Sequence, residues 1–360
     1  MMSKELNSTM IILASTTAPP KNECIDMEQF EWVITYSPPF MWIIFILGFI
    51  ENLFVISVFI LHKSRCTVAE IYLGNMAAAD LILVSGLPFW AIYISKRFCW
   101  PFGGFMCVAV SGLFQLNFYS TIYFLLMVSI DRYLALVKTM SVGRLRRPWW
   151  AKVNCAIIWM CAVVLSVPCM VFRELAFIPE FNTTACIEGA PPEWSIAIDT
   201  TLSVIGFLVP VVVITFCTSK IICVLRNNVM QQFKEVKNEK KATWLVLSVL
   251  LVFIVCWLPF HISTFMNILD HFNVFPLCGV KSVNYTFTQI STYIAFSNSC
   301  INPVMYVMIG NHFRKKAKEV YTGLLCRGSA RRKFSFPTDA LVDSTRISFS
   351  VGPKKRKSIV

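Results

Sequence analysis

Seven long apolar runs divide the chain, and each has about the length needed to cross a lipid bilayer. A spanning helix needs ~20 mostly apolar residues, and the runs lack the strict alternation that is typical of barrel strands. Only helices and closed barrels satisfy their backbone hydrogen bonds in lipid. The pattern therefore predicts an all-α bundle of seven transmembrane helices, at about 40–61, 71–94, 107–130, 150–172, 196–225, 243–266 and 287–309.

A short amphipathic stretch, NHFRKKAKEVYT at 311–322, follows the last run. Phe313 and Val320 can face lipid there, while Lys316 and its basic neighbours meet anionic headgroups. We therefore expect a cytoplasmic eighth helix on the membrane surface. The predicted organisation is an N-terminal extracellular segment 1–39, the bundle 40–309, the surface helix 310–326 with the palmitoylation candidate Cys326, and a disordered cytoplasmic tail 327–360.

Composition and charge change the picture from a soluble domain to an oriented membrane protein. Apolar residues make up 56% and charged residues 15% of the chain, against about 45–50% and about 25% in soluble domains. The net charge of +13 would favour nucleic acid if it were spread along a polar chain, but 27 of the 33 Lys and Arg lie on one side of the predicted bundle. This asymmetry predicts no nucleic-acid partner. It also predicts a multi-pass plasma-membrane protein with its N-terminus outside and its C-terminus in the cytoplasm.

Cysteines and glycosylation sequons agree with that orientation. A bridge between Cys107 and Cys186 would pin the second outer loop over the bundle mouth, and one between Cys24 and Cys278 would tie the N-terminal segment to the third outer loop. Cys99 would be left over, and the sequence alone does not fix the pairing. The sequons on the outer side begin at Asn7, Asn182 and Asn284, the last close to the seventh helix.

Asp80 lies in the middle of the second run, where a charge is costly. Amide and hydroxyl side chains fall at a similar depth in other runs, and oxygen ligands of this kind suit a small hard cation. No other cofactor is expected, and the alternative is a hydrogen-bonded network without an ion. We predict an allosteric sodium site formed by Asp80, Asn117, Thr121, Asn298 and Ser299, with Asn52 and Asn302 nearby.

The third run ends in Asp131-Arg132-Tyr133 at the predicted cytoplasmic edge. Arg132 can pair with Asp131 or with a carboxylate from another helix, and Glu239 at the start of the sixth run is placed for that role. Such a pair would hold two helices together, and breaking it would let them part. Prolines interrupt five runs and allow them to bend, at Pro88, Pro168, Pro210, Pro259 and Pro303.

One motif in each helix, in order, resembles the rhodopsin class of G-protein-coupled receptors over residues 40–326. The motifs are Asn52, Leu73–Asp80, Asp131-Arg132-Tyr133, Trp159, Pro210, Cys256-Trp257-Leu258-Pro259 and Asn302-Pro303-Val304-Met305-Tyr306. Further segments resemble bradykinin receptors: Ala69–Asn75, Gly86–Trp90, Ser129–Thr139, Leu225–Asn228 and Tyr293–Pro303. The first inner loop, His62-Lys63-Ser64 and Cys66-Thr67-Val68, is more similar to the type-2, constitutive subtype.

The resemblance implies a kinin peptide ligand, a nonapeptide with an arginine at each end. It also implies a heterotrimeric G protein of the q class, acting through phospholipase C and calcium, and it leaves the i class open as a second partner. Arrestin and receptor kinases would act on the tail. The candidate phosphorylation sites are Ser335, Thr338, Ser344, Thr345, Ser348 and Ser350.

The chain departs from that subtype where the ligand is expected. The acidic residues near the outer ends of helices six and seven are replaced by Asn267 and Tyr285. Acidic charge is present elsewhere, because the outer N-terminal segment and the second outer loop each carry a net charge of −3. An acidic mouth would concentrate a basic peptide.

We expect the ligand to enter from outside into a cup in which aromatic side chains supply contact area and Arg173 holds a carboxylate. Its residues are Trp90, Trp100, Phe114, Gln115, Arg173, Asp199, Phe260, Gln289, Tyr293 and Phe296. Ligand would then move Trp257 and Phe253 against Ile122 and Pro210, and helix six would swing outward. The activation switch is completed by Asp131, Arg132, Tyr133, Glu239, Asn302, Pro303 and Tyr306.

Neighbouring functions are disfavoured by single positions. The place of an amine-binding aspartate is taken by Phe114, and that of a retinal-binding lysine by Phe296. No phosphate-binding loop, HExxH helix or histidine cluster is found, so an enzyme is not expected. The alternatives that stay open are a peptide receptor of angiotensin-like or chemokine-like specificity and, from another class, a transporter.

Overall fold

The structure of the protein is a computed structural model that describes residues 27–137, 147–179, 182–226, 234–272, 274, 278–310 and 313–323. Only the backbone is described at residues 27–30, 225–226, 234–243, 245–246, 278 and 309. The chain divides into a large unit, Met1–Val320, and a short one, Tyr321–Val360, of which residues 321–323 are described as a helical turn. The paragraphs below concern the large unit.

Long helices make up the bundle. They are α1 (Met27–Leu61), α2 (Val68–Ser95), α3 (Gly103–Leu136), α4 (Pro148–Val171), α5 (Pro192–Ser203), α6 (Val209–Arg226), α7 (Lys234–His271) and α8 (Cys278–Ile309). A π-helical turn, Val204–Leu208, joins α5 to α6 in one continuous rod, so these eight helices form seven rods. A further helix of the large unit, α9, occupies residues 313–320.

Local sequence explains several helix starts. Thr67 caps α2 by a capping box, since its side chain accepts from the Glu70 amide and the Glu70 carboxylate accepts from the Thr67 amide. Pro148 and Pro192 stand at the first positions of α4 and α5, where a missing N–H costs nothing. Position 206, in the π-helical turn, requires glycine because a Cβ atom there would overlap the ring of Phe118.

The helices are longer than the apolar runs that predicted them. α1 begins at Met27 rather than near residue 40, and α8 begins at Cys278 rather than near residue 287. α3 and α7 also extend beyond their runs, to Leu136 and back to Lys234. Hydropathy marks only the part of a helix that meets lipid, whereas the backbone continues into the polar regions beyond it.

Six helical segments within the described residues are long and apolar enough to cross a membrane. They match the first six predicted runs, with the fifth formed by the α5–α6 rod. The seventh, α8, is 32 residues long but is not among them. Many hydroxyl and amide side chains face the bundle from α8, including Thr288, Ser291, Asn298 and Asn302, and they lower its mean hydropathy.

A two-stranded hairpin covers one end of the bundle, and we call this the hairpin end. Its antiparallel strands are β1 (Arg173–Ile178) and β2 (Thr183–Glu188), with Leu175 opposite Cys186. The Trp100 amide, after α2, donates to the Thr184 carbonyl at 2.8 Å. Neither strand was predicted, because each has only six residues, which is too short to show a clear alternation of apolar and polar positions.

One face of α9 packs against the bundle. Phe313 and Val320, expected to face lipid, are buried, and Phe313 contacts the rings of Phe54 and Phe59. Lys316, expected to meet headgroups, is buried and places Nζ 2.8 Å from Glu70 Oε2. An amphipathic pattern identified the helix but could not tell a lipid surface from a protein surface.

Candidate functional site

A disulfide anchors the hairpin over the open end of the bundle. Cys107, in the first turns of α3, is bonded to Cys186 in β2, and both are buried. This was one of the two predicted bridges. The other cannot be compared, because Cys24 and the Cys278 side chain lie outside the described residues, and Cys99 is a free thiol.

An acidic cluster lies beneath the hairpin, between β1, β2 and α5. The Arg173 guanidinium is 3.6 Å from Glu188 Oε2, and Ser195 Oγ donates to Glu188 Oε1 at 3.3 Å. Burial raises the pKa of the Glu188 carboxyl, and the Arg173 guanidinium opposes that rise. Asp199, one helical turn beyond Ser195, is close enough to Glu188 for the two carboxylates to repel each other.

Asp199 is the unusual member of this acidic cluster. Its side chain is 1% exposed, and neither carboxylate oxygen has a hydrogen-bond partner among the described residues. The amide oxygen and nitrogen of Gln115, on α3, are likewise buried without a partner. Buried polar groups are nearly always hydrogen-bonded, so the unpartnered Asp199 carboxylate is the exception that needs an explanation.

Aromatic rings form the floor below the acidic cluster. The Phe114 ring centroid lies 5.7 Å from Trp257, 6.2 Å from Phe260 and 5.5 Å from Phe296. Trp257 in turn contacts Phe118 at 4.5 Å and stacks on Phe253 at 5.9 Å. Contacts at the floor are therefore connected by packed rings to the middle of α7.

The predicted cup residues fall into four neighbourhoods, all buried. Gln115, Arg173 and Asp199 lie by the acidic cluster, and Phe114, Phe260 and Phe296 in the floor. Trp90 and Trp100 contact each other at 5.3 Å beside the hairpin. Tyr293 bonds to Ser37 of α1 and lies 3.5 Å from Gln289 Oε1. The first two neighbourhoods adjoin on α3, where Phe114 and Gln115 are consecutive residues, while the last two contain residues of α1 and α2.

Three residues near this site were not among the predicted cup residues, although Glu188 was counted in the acidic second outer loop. Glu188 lies two positions after Cys186, and this closeness to the disulfide could have indicated that Glu188 reaches the bundle. No feature of the sequence indicated a role for Ser195. His261 stands four residues after Trp257; its Nδ1 is 3.2 Å from Ser203 Oγ, and its ring stacks on Phe207 at 4.3 Å. A histidine inside an apolar run was the signal there.

A second polar cluster surrounds Asp80 in the middle of the bundle. Asp80 Oδ1 accepts from Asn117 Nδ2 at 2.9 Å and from Ser299 Oγ at 3.0 Å, and Oδ2 accepts from Asn302 Nδ2 at 3.1 Å. Asn117 also donates to Thr121 at 3.2 Å. Oxygen atoms Oδ1 of Asn52, Asn298 and Asn302 are buried without a partner among the described residues. Carboxylate and amide oxygens are the ligand type that a small hard cation prefers.

The end of the bundle opposite the hairpin carries the Asp131–Arg132 pair. Arg132 Nη2 and Nε lie 2.5 Å and 3.1 Å from Asp131 Oδ2. Pro303 is inside α8, and Tyr306, one turn further, is 1% exposed with its hydroxyl unpartnered among the described residues. Ile122 and Pro210 are both buried. The Glu239 side chain lies outside the described residues.

The remaining predicted sites are modification sites. Asn182, exposed at the tip of the hairpin, has a positive φ of 48°. Asn284 lies within α8 and donates to Asn267 Oδ1 at 2.5 Å. Asn7, Cys326 and the six tail serines and threonines lie outside the described residues.

A bundle of membrane-length helices with buried polar clusters at successive depths defines a multi-pass helical membrane protein. The family model described as 7 transmembrane receptor (rhodopsin family) matches residues 51–306. The chain belongs to this rhodopsin family of seven-transmembrane receptors. It is a receptor and not an enzyme, as predicted.

Its relatives include bradykinin receptors. The chain is 49% identical over 347 residues to the B2 bradykinin receptor of Cavia porcellus, covering 96% of this chain and 93% of that receptor. It is 52% identical over 314 residues to the B2 bradykinin receptor of Homo sapiens, covering 86% and 80%. The B1 bradykinin receptor of Sus scrofa is 36% identical over 335 residues, covering 89% and 94%. The predicted resemblance to the type-2 subtype is confirmed.

Proposed function

We propose that this receptor binds a kinin-like cationic peptide at the hairpin end, outside the cell, and signals through a q-class G protein to phospholipase C and calcium. Its similarity to B2 bradykinin receptors supports the choice of peptide. The observation that carries the proposal is the unpartnered Asp199 carboxylate beneath the hairpin.

The charges of the acidic cluster are unbalanced. Glu188 and Asp199 contribute two carboxylates, whereas Arg173 contributes one guanidinium. A buried charge without a partner is expensive, because it has lost its hydration and gained no compensating bond. A guanidinium or ammonium group from a ligand would restore the balance, and charge-assisted hydrogen bonds of this type are strong. Arg173 would at the same time attract a ligand carboxylate.

Packed rings give the bound peptide a route to the rest of the receptor. A ligand side chain that displaces Phe114 would press on Trp257, and Trp257 on Phe253. The packing around Ile122 and Pro210 would then change, and α7 would swing out at the opposite end. This is a shift between two packings of one bundle.

Three features support the hairpin end as the outer end. The Cys107–Cys186 disulfide requires an oxidising compartment. Asn182 presents a sequon at the exposed hairpin tip. Basic residues concentrate at the opposite end, including Arg314, Lys315 and Lys318 on α9. In this orientation Arg132 faces the G protein, with Glu239 as its second partner in the inactive state. Arrestin and receptor kinases would act on the tail at the same face.

We extend the proposal to a sodium ion at Asp80. The orphaned oxygens of Asn298 and Asn302, beside the Asp80 carboxylate, would hold it. When bound, the ion would supply positive charge at the centre of the bundle and favour the packing in which α8 stays close to α2 and α3.

The experiment is calcium release in cells that express the receptor, challenged with bradykinin. Asp199→Asn should lower agonist potency by about 30-fold or more, since losing one partner of a buried charge pair costs about 2–5 kcal/mol. Glu193→Gln is the matched control, because Glu193 is an exposed acid in the first turn of the same helix. Equal effects of both variants, or activation by an angiotensin-like or chemokine-like peptide instead, would overturn the proposal.

A further inference from the structure

Three polar pairs join α7 to α8 in their halves nearer the hairpin, and none of them takes part in the proposed signalling route. Asn284 Nδ2 donates to Asn267 Oδ1 at 2.5 Å, and Lys281 Nζ lies 2.9 Å from Asp270 Oδ1. The third pair is a hydrogen bond between the hydroxyl groups of Ser263 and Thr288. We call this set the α7–α8 ladder: Ser263–Thr288, Asn267–Asn284 and Asp270–Lys281.

The ladder occupies one stripe on each helix. Its positions on α7 are four and then three residues apart, and those on α8 are three and then four apart, which is the spacing of a single helical face. The two series run in opposite directions, as antiparallel helices require. Apolar side chains occupy the outward faces, and four of them are exposed: Ile262, Phe265, Val283 and Ile290.

The hydrogen bonds of the ladder are complementary. The Thr288 hydroxyl donates to the Asn284 carbonyl at 2.7 Å. Its oxygen is therefore left to accept the proton of Ser263, whose side chain is 0% exposed. In lipid, apolar contact provides no hydrophobic force between helices, so packing and interhelical hydrogen bonds hold them together. The ladder is thus a specific attachment between these two helices.

We propose that the ladder is a latch that keeps the hairpin-end halves of α7 and α8 together in both signalling states. Ligand then tilts the pair as one body instead of separating its members. Pro259 and Pro303 interrupt the two helices on the far side of the ladder. Below these prolines each helix can bend independently, so α7 can swing out at the Arg132 end without opening the latch.

A covalent rung tests this latch directly. The double variant Ser263→Cys/Thr288→Cys places two sulfurs where the bonded hydroxyls lie, and oxidation with copper phenanthroline would link them. The crosslinked receptor should respond to bradykinin within about 3-fold of the unlinked one, since the rung stays closed during signalling. Loss of the response on crosslinking, at equal surface expression and with both single variants active, would overturn the proposal.

A second test needs no agonist, so it stays informative if the proposed ligand is wrong. Ser263→Ala should lower the melting temperature of the purified receptor, and adding Thr288→Val should cost little more, because either change breaks the same rung. Thr264→Val is the matched control, since the neighbouring Thr264 hydroxyl donates only to the Phe260 carbonyl of its own helix. Additive losses, or an equal loss from Thr264→Val, would show that no rung is present.

The middle rung, Asn267–Asn284, can be tested separately by whether Asn284 is glycosylated. A glycan would replace one hydrogen of the Asn284 amide nitrogen, and its bulk would not fit where that nitrogen contacts Asn267 of α7. We therefore expect Asn284→Gln to leave the electrophoretic mobility of the receptor unchanged, with Asn182→Gln as the positive control. A mobility shift from Asn284→Gln would contradict the rung.

Discussion

Two buried aspartates in this receptor have opposite surroundings. Asp80 accepts three hydrogen bonds from Asn117, Ser299 and Asn302 at 2.9–3.1 Å. Asp199 is equally buried, but neither of its carboxylate oxygens has a partner among the described residues, and Glu188 lies near enough to repel it. One carboxylate is supplied with donors by the fold, whereas the other lacks them.

The difference separates two ways of using a buried charge. Around Asp80, donors from α3 and α8 converge on one acceptor from α2, so the charge ties three helices together. Asp199 has no such donors among the described residues, so burying it in its ionised form opposes folding until a cation arrives. A buried acid with donors stabilises the bundle, and one without them is suited to a ligand.

Replacing each aspartate with leucine should give the largest difference between the two sites, and this difference is in stability. Asp80→Leu orphans three buried donors, and we expect it to lower the free energy of unfolding by about 3 kcal/mol or more. Asp199→Leu removes a charge without a partner, so stability should stay equal or rise, because apolar replacements of poorly balanced buried charges often stabilise. The measurement is thermal unfolding of the purified receptor without ligand.

The paired design supplies its own control. Both variants exchange a buried aspartate for the same side chain, so a general intolerance of leucine would affect them alike. Equal destabilisation by the two changes would show that Asp199 has partners in the folded receptor and would end the contrast.

Releasing the hairpin should affect only one of the two clusters. In Cys107→Ser the hairpin that carries Glu188 must be ordered by the ligand, and we expect agonist potency to fall by about 10-fold or more. The described hydrogen bonds of Asp80 go to α3 and α8 and not to the hairpin. The weakening of agonist binding by sodium that the proposed Asp80 site predicts should therefore be retained. Cys99→Ser is the matched control, since Cys99 is a free thiol near the same end. Loss of the sodium effect in Cys107→Ser would contradict the independence of the clusters.

Much of the Asp80 cluster could be predicted, because a helix converts position along the chain into depth in the membrane. Asp80, Asn117, Ser299 and Asn302 lie at similar distances from the ends of their runs, and helices of one bundle must place such residues in one layer. The seven runs followed from the same relation. What depth cannot give is the rotation of each helix about its axis.

The acidic cluster was less predictable because it depends on a loop. Asp199 could be placed at the end of the fifth run, but Glu188 lies in a hairpin whose path is set by the Cys107–Cys186 bond. Its register places Glu188 opposite Arg173, and a six-residue strand has no periodicity long enough to show this. The contacts of α9 were missed for a different reason. An amphipathic pattern marks an apolar face, but it does not show that Phe59 contacts Phe313 or that Glu70 pairs with Lys316.

The dependence of agonist binding on sodium should also distinguish Asp80 from Asp199. Agonist binding to the receptor should weaken by about 5-fold or more when sodium replaces N-methylglucamine, as expected for a coupled site. Asp80→Asn keeps the shape of the side chain and removes its charge, so the shift should disappear. Asp199→Asn should retain a shift of the same size. A sodium effect that survives in Asp80→Asn would exclude the ion from this cluster.

The smallest expected effect concerns the hydrogen bond between Ser195 of α5 and Glu188 of the acidic cluster. Ser195 Oγ donates to Glu188 Oε1 at 3.3 Å, near the long end of hydrogen-bond distances. Ser195→Ala should lower agonist potency by about 3-fold, because Glu188 loses the contact that orients it toward the ligand. Ser195→Thr keeps the hydroxyl and should restore potency. An increase in potency in Ser195→Ala would mean that Ser195 competes with the ligand for Glu188, so that even this acid binds best when the fold supplies it with fewest donors.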